Sequence, residues 1–345
     1  MIKMHLDESL FTFEPSFLVA KAISDTYKKK ALNSILTIAD AINKITSLPF
    51  YKTFDERIEE LKSYSVSSMF YNYNTKLIHS LIELKDIHQT TTTLEKLSNE
   101  NISNLIHYYP KISNLNNYDW AMEFGRQTVE DYKKINSNKY ANIKPANKII
   151  FKKNIGILSQ AMALLKTKAY SFYVEVINYV SDILLFEGKG ISGGTSSKFM
   201  NSIFIRIPIQ LDVDKTYKNK ITLVHLTELV YYLEQLIHET AHLHLDQLME
   251  FDPIVNNNEK ERFNSPLRED LRPMRGVFHA TFVLARLKRF FSIITLSGSD
   301  EDFKNKRLIT INDSLSSGID TIKKYGQLTV SGKKLFHEMT QASNS

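Results

Sequence analysis

Residues 235–248 read QLIHETAHLHLDQL, part of a longer run from about Leu223 to Met249 whose spacing predicts one long helix, ended by Asp252-Pro253. Within it stands His-Glu-x-x-His, His238 to His242, among the apolar neighbours Leu236, Ile237, Ala241 and Leu243. Each residue of a helix advances about 100°, so these two histidines lie about 40° apart, one turn above the other, and both imidazoles reach one ion. His-x-x-x-His also arises by chance on ordinary helices; the intervening Glu239 and the apolar setting favour a metal. His244 falls about 200° round from His242 and cannot join that site from this helix.

Two ligands do not complete a catalytic site. The chain has no cysteine, which excludes disulfides, thiolate catalysis and thiolate ligands, so the third ligand must be His, Asp or Glu. His279 is the natural candidate. It lies in GVFHATFVLARL, between Phe278 and Phe282 on an apolar helix face where an unpartnered imidazole is costly to bury. A lone histidine of this kind is commonly a hydrogen-bonded core residue, but a second helix packed antiparallel after a long loop brings it to the ion. Glu261, Glu269 and Asp270 are alternatives, and Glu250 lies too far along its own helix.

Arginine is distributed unevenly. Six of the ten arginines (Arg262, Arg268, Arg272, Arg275, Arg286 and Arg289) fall within 28 residues around His279, in a chain with 34 lysines. A guanidinium is a planar fork that holds carboxylates bidentately, which an ammonium does not imitate. Anionic ligands held near the metal are therefore expected. Arg286 follows His279 by seven residues on one helix stripe, about 10 Å along the axis, placed to meet a dicarboxylate chelating the ion. Arg262 and Arg289 are expected to be surface or salt-bridge residues.

Outward from this core, residues from about Pro15 to Tyr140 show helical apolar spacing and hold the only tryptophan, Trp120, with His79, His88 and His107 scattered among them. The polar stretch KKINSNKYANIKPANK, 133–148, is the expected linker, and a helix follows from about Lys152 to Ala169. Val180 to Phe186 and Ser202 to Pro208 are expected strands, joined by GKGISGGTSSK as a hairpin or long loop; that glycine-rich segment lacks the Gly-Lys-Ser/Thr ending of a phosphate loop. Arg272-Pro273 opens the helix containing His279, and two more helices follow, the last capped by Thr329. The expected fold is mainly α: a helical N-terminal region, 1–140, and a metal-binding catalytic domain, 141–345. The second part would carry a small hairpin or sheet, with the metal between two core helices.

Bulk composition narrows the function classes. The 345 residues are 43% hydrophobic, with a net charge of +6 and no basic run beyond Lys28-Lys29-Lys30, so no nucleic-acid stripe is present. No stretch approaches the roughly 18 apolar residues of a membrane span, and MIKMHLDESLFTF is not a secretory leader, so a cytoplasmic location is expected.

Two mechanisms suit these residues. With zinc, three protein ligands leave a place for water and Glu239 becomes the base of a peptidase. The metzincin spacing is absent, since Leu248 stands six residues after His242, and no Glu-x-x-x-Asp/Glu accompanies His279. With iron(II), three ligands leave room for a bidentate 2-oxo acid and dioxygen, and the arginines supply a cation for the distal carboxylate. Glu239 would then orient an imidazole or bound water. A helical peptide-binding protein with a vestigial site is a third possibility.

The run SPLREDLRP (Ser265 to Pro273), then GVFHATFVLAR (Gly276 to Arg286), downstream of HETAH, resembles the HExxH-type 2-oxoglutarate-dependent peptide β-hydroxylases found in gene clusters for ribosomally made, post-translationally modified peptides. The likeness is specific over about residues 230–290 and fades toward 150. Leu271 departs from it, standing where proline is expected. The resemblance implies Fe(II) held by His238, His242 and His279. It also implies 2-oxoglutarate held by arginines of the SPLREDLRP run, Arg268 and Arg272, or by Arg286, and a precursor peptide as substrate; Arg275, from the cluster around His279, is a further candidate for the co-substrate.

Overall fold

The computed structural model describes residues 6–46, 57–107, 109–135, 141–196, 199–208 and 227–344. Over these the chain is mainly α. The helices are α1 (Phe17–Thr46), α2 (57–62), α3 (Ser68–Ile78), α4 (Ile87–Asn99), α5 (Ile102–Leu105), α6 (Asp119–Ile135), α7 (Lys148–Lys168), α8 (Tyr170–Tyr179), α9 (Glu228–Met249), α10 (Met274–Ile293), α11 (Ser299–Tyr325) and α12 (Val330–Asn344). The strands are β1 (Ser65–Val66), β2 (Ile106–His107), β3 (Lys111–Asn114), β4 (Asn142–Pro145), β5 (Asp182–Lys189), β6 (Gly193–Gly194) and β7 (Ser202–Arg206).

The two apolar runs expected as strands are β5 and β7, but they pair in parallel, so the segment between them is no hairpin turn. Parallel neighbours need a connection of about a dozen residues to return the chain to the same end of the sheet. Part of that return, β6, pairs antiparallel with β7, giving the order β3-β5-β7-β6. The stretch expected as a linker contributes β4, which pairs antiparallel with the far end of β5. Its continuation is fixed by the Asn114 amide, which accepts from the Ala146 N–H at 2.9 Å and donates to the Ala146 carbonyl at 2.8 Å; residues 136–140 lie outside the described residues.

Period-two alternation divides the sheet between two packed faces. Ile183, Leu185, Ile203 and Ile205 join the main core under the helices. Leu184, Phe186 and Phe204 turn the other way, against Trp120, Phe124 and Phe199. Covering both faces explains why β5 shows no polar alternation over Asp182–Glu187.

The main core is continuous from Phe11 to Met339 and so includes residues from both sides of position 140. The N-terminal segment is strapped to the C-terminal helix: the Glu338 carboxylate accepts from the Thr12 hydroxyl at 2.9 Å and from the Phe13 N–H at 2.6 Å. At the other end of the chain, Thr329 caps α12 by accepting from the Gly332 N–H at 3.0 Å.

Helix α9 lies at the centre, packed by α7, α8, α10 and α11 and by β6 and β7. From Val230 to Leu248 every residue is buried except His238, His242 and Asp246. These three are spaced four apart, so a single stripe of an otherwise enclosed helix reaches the outside. Among the described residues, no helix is long and apolar enough to cross a membrane.

Candidate functional site

The open stripe of α9 faces α10, and there His279 meets it. His238 Nε2 lies 3.2 Å from His242 Nε2, and His242 Nδ1 lies 3.4 Å from His279 Nδ1. On its other edge, His279 Nε2 is 3.1 Å from Met249 Sδ and 3.5 Å from Asp246 Oδ1. The three imidazoles singled out in the sequence thus stand side by side. They form a row rather than a ring, because His242 presents a different nitrogen to each neighbour. Among the described residues, accordingly, no three His, Asp or Glu groups are grouped as a ready metal-ligand set.

Burial sets the electrostatics of the row. Loss of water, with the Arg307 and Arg268 charges in support, lowers the His238 pKa to about 4. Desolvation and His238 lower that of His242 to about 3. His279 is held well below the ordinary value by burial, His242 and Arg275. All three rings are therefore neutral at pH 7 and offer lone pairs, the state in which imidazole binds a metal. Three neutral imidazoles without thiolate fit the donor preferences of iron or zinc. Burial pushes the Asp246 carboxyl up to about 6, opposed by Arg275.

Glu239 is turned to a different neighbour. Its carboxylate is 3% exposed and lies against β6, where a side chain at Gly193 would place Cβ 2.6 Å from Glu239 Oε1 and 2.8 Å from Gln235 Oε1. Only glycine lets strand and helix approach so closely. Neither Glu239 Oε2 nor Gln235 Oε1 has a hydrogen-bond partner in the protein. Burial raises the Glu239 pKa to about 8, so the group is mostly protonated at neutral pH.

The arginines separate into distinct groups. Arg286, expected to lean toward the ion, is 1% exposed and bound internally: it pairs with the Glu175 carboxylate, donates to the Phe13 carbonyl, and lies over the Phe172 ring at 5.0 Å. The reason is positional. Helix α10 is open at His279 but buried on all sides from Thr281 to Leu287, so a guanidinium at that level is committed to the interior. Arg272 Nε is 2.7 Å from Asp270, Arg262 donates to the carbonyls of Glu259 and Glu261, and Arg289 lies 3.4 Å from Glu14. Arg268 and Arg275 are exposed, and their charges act on His238 and on His279, respectively. Of the alternative carboxylates, Asp270 is engaged by Arg272 and Glu261 accepts from Asn257.

Two residues near the row were not singled out by sequence. Arg307 of α11 grips Glu234 through Nη2 at 2.7 Å and Nε at 2.9 Å, one turn before His238. The signal for it was Glu234 itself, an acid four residues before a buried histidine and in need of a cation. Asp246 was legible as the next four-residue step after His238 and His242. His244 is fully buried on the other side of α9, stacked on Tyr179 with ring centroids 5.1 Å apart, and takes no part. His79 and His88 are exposed far along the chain, with His79 paired to Glu83 at 2.6 Å.

Neither a protein-family model nor a curated protein matches the chain.

Proposed function

We propose that the protein is an iron(II)- and 2-oxoglutarate-dependent oxygenase that hydroxylates the β-carbon of a residue in a ribosomally made precursor peptide. The observation that carries this reading is the row of three neutral imidazoles, two on the open stripe of the buried helix α9 and the third on α10 against it, near the charges of Arg268, Arg275 and Arg307. His238, His242 and His279 are the residues that would hold Fe(II). When bound, that ion supplies dioxygen activation coupled to decarboxylation of 2-oxoglutarate to succinate and CO2. The exposed Arg268 and Arg275 attract the diacid and receive its distal carboxylate, a role for which their planar donors suit them. Arg307 keeps its bidentate hold on Glu234 and contributes field rather than contact. Glu239, buried against β6 and kept protonated by desolvation, is on this reading not the base that activates water. The helices before residue 140 are the proposed surface for the rest of the peptide.

The test is incubation of the protein with Fe(II), 2-oxoglutarate and the precursor peptide, following succinate and peptide mass. A gain of one oxygen with succinate release supports the assignment. The alternative is a zinc peptidase, favoured by the same His-Glu-x-x-His and by the unpartnered Glu239 oxygen. Bound zinc together with a cleaved peptide would establish it instead.

A further inference from the structure

We propose that the cleft between α10 and α12 is a peptide-docking groove, filled in cis by residues 7–14 of the chain, and that a partner peptide of the same chemistry replaces them there. That chemistry is two aromatic residues two positions apart, flanked by carboxylates.

Residues 7–14, DESLFTFE, hold their own shape. Asp7 caps the short turn Glu8–Leu10 by accepting from the Ser9 N–H at 2.8 Å, and the Phe11 and Thr12 N–H groups return to the Glu8 and Leu10 carbonyls at 3.2 and 3.0 Å. Among the described residues, no backbone–backbone hydrogen bond joins this stretch to the rest of the molecule. Its polar contacts with α10 and α12 run through side chains instead. Lys334 Nζ donates to the Glu8 carbonyl at 2.9 Å, Glu338 accepts from the Thr12 hydroxyl and the Phe13 N–H, and Arg286 donates to the Phe13 carbonyl. Arg289 lies 3.4 Å from the Glu14 carboxylate. Phe11 and Phe13 are the buried anchors, and Phe13 meets the Phe282 ring edge-on at 5.8 Å and the Arg286 guanidinium at 5.7 Å. Aromatic anchors combined with charge-assisted bonds to the backbone are the way a bound peptide is held.

The groove is arranged for such a ligand. Phe282, Arg286 and Arg289 recur at helical spacing along α10, and Lys334 and Glu338 stand one turn apart on α12. Lys and Glu four apart on a helix are placed to bridge one another. Here each turns to the segment, Lys334 to one of its carbonyls and Glu338 to two of its donors. Lys334 and Arg289 face a stretch carrying Asp7, Glu8 and Glu14, so the groove selects an acidic peptide over a basic one. Because side chains make the contacts, another chain presenting the same pattern makes them equally. A segment tethered in cis acts at an effective concentration on the order of millimolar, so a peptide in trans enters when the resident copy is weakened or outnumbered.

The probe is a fluorophore-labelled synthetic peptide of residues 6–16, LDESLFTFEPS, read by fluorescence anisotropy on the full chain. Phe11→Ala with Phe13→Ala in the protein removes the resident anchors and leaves the groove walls as they are; peptide binding should tighten by about tenfold or more over wild type. Adding Glu338→Lys to that variant, or replacing both phenylalanines of the peptide by alanine, should abolish the gain. Should the double variant be unfolded by itself, the peptide should restore a cooperative melt whose midpoint rises with peptide concentration. A folded variant that does not take up the peptide, or an unfolded one that the peptide does not restore, overturns the proposal. In the wild type, native-state hydrogen exchange should show the Phe13 amide opening at urea concentrations that leave α9 protected. A Phe13 amide that opens only together with α9 would make the segment an inseparable part of the core and overturn the proposal as well.

Discussion

His279 and Arg286 share one helix, seven residues apart, and end in opposite surroundings. His279 stands at the open end of α10 against the α9 stripe, whereas Arg286 is enclosed with Glu175, Phe13 and Phe172. Replacing either His238, His242 or His279 by Ala is expected to abolish 2-oxoglutarate turnover and to lower metal content; elemental analysis beside the succinate assay checks both. Arg286→Ala should instead act on stability, because it strands a buried carboxylate, at a cost of about 3–5 kcal/mol in urea unfolding. The folded fraction should retain an unchanged dependence of rate on 2-oxoglutarate. His244 gives a pH signature. Its folded pKa of about 3 lies below the ordinary 6.5, so the unfolded chain takes up a proton that the native state refuses. The stability contributed by the neutral buried ring is complete above pH 6.5 and is lost as pH falls toward 3. His244→Phe in metal-free protein should therefore flatten the decline between pH 6 and 4 by roughly 1.4 kcal/mol per pH unit, read from urea midpoints. An equal slope in the variant would mean that the ring protonates without unfolding.

At the scale of the element, what the sequence made legible follows from how each element is stabilised. Helix α9 announces itself by spacing, and β5 and β7 by uninterrupted apolar runs, because local pattern and burial agree there. Strand β6 is two glycines with no pattern to read, and its reason for being glycine lies across space on Gln235 and Glu239. The commitment of Arg286 was hidden for the same cause: Glu175 and Phe13 are remote in sequence, and the stripe arithmetic that places a residue on a face does not say what covers that face. Gly193→Ala tests the helix–strand approach. The added methyl meets the Glu239 carboxylate, and a destabilisation of about 1–3 kcal/mol is expected by thermal unfolding. Combined with Glu239→Ala, the loss should be smaller than the sum of the two single changes, since the clash and its partner disappear together.

Across the whole molecule, the core runs across the boundary expected at the polar stretch 133–148 and does not divide there. Strand β3 precedes that stretch and β5 follows it, yet they pair in one sheet, and α1 packs on α8 and α9. A fragment of residues 141–345 should consequently be insoluble or lack a cooperative unfolding transition, whereas co-expression with residues 1–140 should restore a folded complex; circular dichroism and thermal melts distinguish the cases. The strap from Thr12 and Phe13 to Glu338 has a further consequence. An acceptor more than three hundred positions away in the chain is a contact of extreme sequence separation, so the entropy of closing that loop is met only when the intervening core has already gathered, and the strap is expected to form late in folding. A circular permutant that tethers these two segments and opens the chain elsewhere on the surface should then fold faster than the natural order.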